Sequence, residues 1–195
     1  MVSSGYLPIA ICSPHNFPLA RTFGAVATFD YKSKTCGQDI RKYTHNELWL
    51  VLDCITDHLS TAISFAALGR AGGRYVHLEQ LDDECRAIAD KRKAVKTEFL
   101  MQYQAFGAPI SLSESYELEA RPDRREFSCR WYECMEDLLR EGRLRHHPIK
   151  VLQNGLDSVV SGLDEIRKGN LSGLKLVIPI NPETSNPGEL GKQGK

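Results

Sequence analysis

The residues best equipped for chemistry near the start of the chain are Ser13, His15 and Asn16. They stand in Ser13-Pro14-His15-Asn16, directly after the apolar run 7–12. All three can donate hydrogen bonds, and no carboxylate stands among them. Asn16 can cap a helix over residues 16–23, whose first N–H groups favour an anion, and Arg21, about one turn on, adds positive charge. The same residues would also make an ordinary capping turn. Hydrolytic chemistry lacks its parts. His15, His45, His58, His77, His146 and His147 are scattered, with no evident Ser or Cys nucleophile to serve. The six cysteines, Cys12, Cys36, Cys54, Cys85, Cys129 and Cys134, include no Cys-x-x-Cys pair. Structural zinc needs four ligands in close array. The spacing therefore predicts no metal and suggests scattered buried thiols in a reducing compartment.

The elements that would position these residues follow a simple rhythm. Apolar runs at 7–12, 26–29, 48–54 and 75–78 alternate with helical stretches at 16–23, 37–43 and 56–68. Near-continuous apolar strands imply burial on both faces. Strands alternating with helices through short links imply a parallel α/β sheet with right-handed crossovers. Gly69 would stop the third helix, and Gly72-Gly73 would turn the chain into the next strand. Residues 81–98 are charged and ambiguous, either a helix around 84–96 or an extended excursion. A short strand is expected at 99–103, an irregular connection at 107–124, and a helix at 125–141 stopped by Gly142. A strand at 149–152 precedes a helix at 156–168, whose residues Leu156, Val159, Val160, Leu163 and Ile166 share one face. Gly169 ends that helix, a last strand covers 176–180, and a Pro- and Gly-rich tail from 181 is expected to be disordered.

With 195 residues, 42% hydrophobic and 26% charged, the chain suits one globular domain or one and a part. Its 25 basic and 25 acidic residues cancel. That gives no support for nucleic acid or an acidic membrane surface as partner. The first apolar run is broken by Pro8 and has no basic leader, so it makes a poor signal peptide and is too short to span a bilayer.

The order of motifs resembles one family. Ser13-Pro14-His15-Asn16-Phe17, Gly24-Ala25 and Phe29-Asp30-Tyr31 look like the second and third strands of fungal trans-acting enoyl reductases, zinc-free members of the medium-chain dehydrogenase superfamily. Leu52-Asp53-Cys54-Ile55-Thr56, the stretch from Ala67 to Val76, and Leu78-Glu79 continue the match. His147-Pro148-Ile149-Lys150-Val151-Leu152 and the stretch from Leu171 to Val177 complete it. The resemblance covers residues 5–180 and implies the C-terminal part of such an enzyme. It implies a partial Rossmann-type doubly wound parallel sheet lacking its first strand, over 1–142. A C-terminal segment, 143–180, would return towards a GroES-like catalytic domain, with the tail 181–195 beyond it. The phosphate-binding loop and first strand would lie before Met1, leaving strands 3-2 and 4-5-6 to pair directly or keep open edges. Weak or no NADPH binding by this chain alone is the expected result.

The implied activity is reduction of the α,β-double bond of a carrier-bound polyketide by hydride from NADPH. The implied partner is a highly reducing polyketide synthase, and the implied setting is cytoplasmic secondary metabolism. A catalytically inactive remnant, or a non-catalytic partner of such a synthase, is the alternative. By resemblance, the cofactor would meet Ser13, Pro14, His15, Asn16, Tyr31, Leu78, Glu79, Val177 and Ile178. The donors after the first strand, with no carboxylate among them, suit the 2′-phosphate of NADP rather than the free ribose of NAD. Substrate would meet Phe99, Leu100, Met101, Gln102 and Tyr103. No catalytic acid is assigned, and none is required where the cofactor carries the chemistry.

Overall fold

The structure, a computed structural model, describes residues 5–113 and 116–180. The expected disordered tail at 181–195 lies outside them. The chain divides into two units, residues 1–128 and 129–195.

The first unit begins with β1 (Ile9–Ile11), a single turn of tight helix at Pro14–Asn16 and α1 (Phe17–Thr22), followed by β2 (Ala27–Phe29), which pairs parallel to β1 with Ile9 opposite Ala27. Asn16 makes no side-chain cap. Its backbone is already helical, because the preceding tight turn runs into α1, so the extended geometry of a capping residue is not available. Next come α2 (Cys36–Tyr43), β3 (Leu50–Asp53), α3 (His58–Ala67), β4 (Gly73–His77), α4 (Asp83–Asp90) and β5 (Val95–Phe99). Strands β3, β4 and β5 form one parallel sheet, with β4 in the middle. The two sheets are not joined by strand pairing among the described residues. The outer edges of β1 and β3 are therefore open, the second of the two outcomes expected from the sequence.

Helix α3 is the shared wall of the unit. Asp57 and Ser60 close a reciprocal capping box: Ser60 N–H donates to Asp57 Oδ1 at 2.7 Å, and Asp57 N–H to Ser60 Oγ at 3.0 Å. One side of α3 sends Ile63 and Ala67 to join Cys36 and Ile40 of α2, flanked by Ile9, Phe29, Tyr31 and Leu48. The other sends Phe65 to join Leu68, Tyr75, Ala89 and Val95. Burial of each large apolar side chain stabilises the fold by ~1.5–3 kcal/mol.

Gly69 does follow α3, but it is not a left-handed stop. Leu68 leaves the helix in an extended conformation, and a Cβ on Gly69 would collide with the Asn46 carbonyl oxygen. Gly69 is there to let two backbones approach. The turn expected at Gly72-Gly73 is real: their φ angles are +92° and +151°.

The ambiguous stretch 81–98 contains both alternatives in turn. Asp82 caps α4 by accepting from Cys85 N at 2.7 Å, and the chain then enters β5. The strand expected at 99–103 therefore lies elsewhere: β5 ends at Phe99, and residues Gln102–Phe106 form a tight helical turn closed by Gly107 at φ +74°. The error came from the charges in Val95–Phe99. As an edge strand, β5 can carry Lys96 and Glu98, and Glu98 is neutralised by Arg74 and Arg124 at 2.5 and 2.9 Å. The connection at 107–124 is also more ordered than expected, with a short antiparallel pair β6 (Ile110–Ser111) and β7 (Glu117–Leu118).

Helix α5 (Pro122–Arg140) starts three residues early, with Pro122 in its first turn, and Gly142 at φ +67° follows it. In the second unit β8 (Ile149–Val151) pairs parallel to β9 (Lys175–Val177). Between them a tight turn at Gly155–Ser158 leads into α6 (Val159–Arg167). The helix expected from 156 thus starts at Val159, and its apolar stripe is largely exposed at Val160, Leu163 and Ile166, as is Leu156 in the turn before it. The strand-facing side instead turns on Gly162, where a Cβ would lie 2.9 Å from Leu152 Cδ1 and 3.5 Å from Leu176 Cδ1.

Candidate functional site

In parallel α/β sheets the ligand crevice lies beyond the carboxyl ends of the strands. Ser13 stands two residues past β1 and Tyr31 two past β2. The parallel register brings them together, and Ser13 Oγ donates to Tyr31 Oη at 3.3 Å. Pro14 and His15 are exposed beside them. Arg21 turns elsewhere and donates to Thr28 Oγ1 at 3.1 Å. The nearer cation, not singled out in the sequence, is Lys32, whose Nζ lies 6.0 Å from the centre of the Tyr31 ring. Two hydroxyls and one ammonium gather here, beside the Asp30 carboxylate, which accepts from Lys32 N at 2.9 Å.

Beyond β3 the sequence holds a group that pattern reading overlooked. Asp53 is buried, and its Oδ1 accepts from Ile55 N and Thr56 N, each at 2.9 Å. Its Oδ2 accepts from Tyr75 Oη at 2.8 Å. Thr61 Oγ1 lies 3.1 Å from Tyr75 Oη and 3.4 Å from Cys85 Sγ. Burial is the largest cause pushing the Tyr75 phenol up, opposed by Thr61 and reinforced by Asp53. These bonds hold Thr56 at φ +62°, an unfavourable conformation for a β-branched residue. They also present Cys54 and Ile55 to solvent at the strand ends.

Leu78 and Glu79 follow β4, which ends one residue earlier than expected, at His77. Leu78 is partly exposed and its N–H donates to Asp53 O at 3.2 Å. His77 Nδ1 lies 2.7 Å from Glu79 O. The Glu79 carboxylate accepts from Tyr116 Oη and from Gln80 N, and the Tyr116 bond is the main cause holding its pKa below the usual glutamate value. A column of rings crosses this edge: Tyr75 and His77 stack at 5.4 Å, His77 and Phe99 at 5.7 Å, and Tyr116 tilts against Phe99 at 6.1 Å. Phe99 is thus engaged in the column. Leu100 N–H donates to His77 O at 2.9 Å, Met101 precedes the tight turn, and Gln102 and Tyr103 open it. Tyr103 is half exposed and stacks on Phe106 at 6.3 Å. In the second unit, Val177 ends β9 and accepts from Leu152 N at 2.9 Å, with Ile178 next to it.

The thiols depart from the expectation of general burial. Cys36 and Cys85 are buried and Cys12 intermediate, but Cys54, Cys129 and Cys134 are exposed, because they fall on a strand-end loop and on α5, which has no buried residue among those described. Among the described residues, no group of three or more His, Cys, Asp or Glu is gathered to hold a metal. No described helix is long and apolar enough to cross a membrane.

No protein-family model matches the chain. Curated sequences do. The chain is 42% identical over 177 residues to the trans-enoyl reductase ffsC of Aspergillus flavipes, covering 91% of this chain and 47% of that protein. It is 43% identical over 177 residues to lovC of Aspergillus terreus, the enoyl reductase component of lovastatin nonaketide synthase, covering 91% and 48%. The chain therefore spans about half the length of the curated relatives it matches. Among solved structures it is similar to the CurK enoyl reductase, with TM-score 0.64 and 15% identity over 90% of this chain and 49% of that one. A mycobacterial protein solved with NADPH gives TM-score 0.60 and 14% identity over 88% and 48%. These structural likenesses show the fold, α/β with parallel sheets of partial Rossmann type.

Proposed function

We propose that this chain, related in sequence to the fungal trans-enoyl reductases over nine-tenths of its length, forms part of an NADPH-dependent enoyl reductase. It would serve a highly reducing polyketide synthase and saturate the α,β-double bond of a carrier-bound polyketide. The observation that carries this reading is the 42% identity over 177 residues. The Ser13–Tyr31 pair at the ends of two parallel strands supports it.

Bound NADPH would supply a hydride for the β-carbon, while the α-carbon takes a proton. Ser13, Tyr31 and the turn Pro14-His15-Asn16 would hold the adenosine end, with Lys32 placed to neutralise a 2′-phosphate. Leu78 and Glu79 would border the nicotinamide half. Tyr116 stabilises ionised Glu79, so at neutral pH that carboxylate accepts hydrogen bonds rather than delivering a proton. The family resemblance also assigns cofactor contacts to Val177 and Ile178. Residues from Phe99 to Tyr103 would meet the acyl chain, with half-exposed Tyr103 the most available for contact.

The test is transfer of deuterium from 4-deuterated NADPH to the β-carbon of an α,β-unsaturated acyl thioester, read by mass spectrometry. A saturated product without the label would overturn the reading. In nucleotide-fluorescence titrations of the whole enzyme of which this chain would form part, Ser13→Ala and Tyr31→Phe should each raise the NADPH Kd about 3- to 10-fold, the worth of one hydrogen bond at ~0.5–1.5 kcal/mol. Unchanged values would remove both residues from the site.

A further inference from the structure

At the opposite, amino-terminal edge of the β3–β5 sheet lies a hollow of about 390 Å³ lined by Gln38, Arg41, Lys42, His45, Asn46 and Arg70. It is an open surface depression rather than an enclosed cavity. Its lining carries three permanent cations and no carboxylate. Among the described residues, Arg41, Lys42 and Arg70 make no ion pair with an acid. Arg41 Nε is shut off from solvent and has no hydrogen-bond partner there.

Cations near helix carboxyl ends often serve only to satisfy the last carbonyls and balance the helix dipole. Here Arg41 itself does part of that work, its Nη2 donating to Phe65 O at 3.3 Å, and other groups do the rest. At the end of α3, Arg92 Nη1 donates to Phe65 O at 2.7 Å and Leu68 O at 3.1 Å, and Nη2 donates to Gly69 O at 2.6 Å. At the end of α2, Ile40 O accepts from Thr44 N at 2.9 Å, Arg41 O from Asn46 N at 2.8 Å, and Lys42 O from His45 N at 3.1 Å. Lys42 and Arg70 are therefore surplus to the capping of either helix. The side-chain amides of Gln38 and Asn46 supply neutral donors beside the charges.

We propose that this hollow binds a phosphate-type anion, as a second site separate from the strand-end crevice. The ligand chemistry is a phosphate or diphosphate group, either free or carried on a nucleotide. Arg70 supplies forked donors and Lys42 a point charge, with Arg41, already bound through Nη2 to Phe65 O, adding its charge beside them.

The test is calorimetric titration of the full chain with inorganic pyrophosphate and, separately, with ADP, at low and at matched higher ionic strength in NaCl. Saturable 1:1 binding of pyrophosphate is expected. The double variant Lys42→Gln/Arg70→Gln should weaken it at least tenfold, whereas Arg140→Gln, far from the hollow in sequence and exposed, should not. Both hollow residues are exposed, and an unchanged thermal melt of the double variant would show that folding is intact. ADP binding no tighter than pyrophosphate supports the phosphate group alone as ligand. Tighter ADP binding with the same loss in the double variant supports a nucleotide carrier. Equal affinity in wild type and the double variant overturns the proposal. So does binding that NaCl abolishes entirely, or binding lost in Ser13→Ala/Tyr31→Phe instead.

Discussion

At the scale of single residues, the bond between Asp53 and Tyr75 joins two side chains buried at the end of β3 and in β4. A buried carboxylate needs its acceptors filled, since leaving one unsatisfied costs ~1–3 kcal/mol. Tyr75→Phe removes the donor to Asp53 Oδ2 and leaves the ring in place. It should destabilise the chain by about that amount in urea unfolding, and more than the exposed change Tyr43→Phe. Equal midpoints would mean that water fills the gap. This network was not legible in the sequence. Its members lie 14 to 24 positions apart, and Tyr75 reads simply as an apolar strand residue. The one available signal was Asp53 itself, a carboxylate closing an otherwise apolar run. Ser13 was singled out by its donor chemistry after the first apolar run and Tyr31 through the family resemblance, and Ser13 Oγ donates to Tyr31 Oη. Lys32 was missed because it faces the site only once β2 has set the direction of Tyr31.

At the scale of elements, sequence periodicity located the strand–helix rhythm up to β4, then faltered where charge interrupts it. Strand β5 was obscured because Lys96 and Glu98 are acceptable only on an edge, and edge position is a property of the sheet rather than of the segment. Glu98 also makes the acid response of this edge testable. Arg124, then Arg74, hold its carboxyl below its ordinary value of 4.5. A carboxylate depressed in the folded state contributes stability above its unfolded pKa, and that contribution is lost as pH falls through the folded value. Melting temperature should therefore drop more steeply below pH 4.5 in the wild type than in Glu98→Gln. Parallel acid profiles in thermal melts would show that the Arg74–Glu98–Arg124 bridge carries no linkage. Helix α6 shows the limit of periodicity in another way. Val160, Leu163 and Ile166 of its expected stripe fall on the helix, but Leu156 lies in the tight turn before it, and spacing alone could not say that the strands would take the Gly162 side instead.

At the scale of the whole molecule, the first unit is held by two clusters on either side of α3 rather than by one continuous sheet. Each side of that wall contains one buried thiol, Cys36 among the α2 residues and Cys85 beside Thr61 and Tyr75. Burial, then Asp39 and Asp30, push the Cys36 thiol up to about 11, and burial raises Cys85 as well. Neither is a competent nucleophile until its cluster opens. The native cysteines thus act as a pair of built-in clocks. Under pulses of iodoacetamide followed by peptide mapping, the exposed Cys129 and Cys134 should be alkylated first. Cys36 and Cys85 should follow at one common rate if α3 and its two clusters open as a single event. Two well-separated rates would mean that the wall can be stripped from one side at a time, and the faster clock would tell which side loosens first.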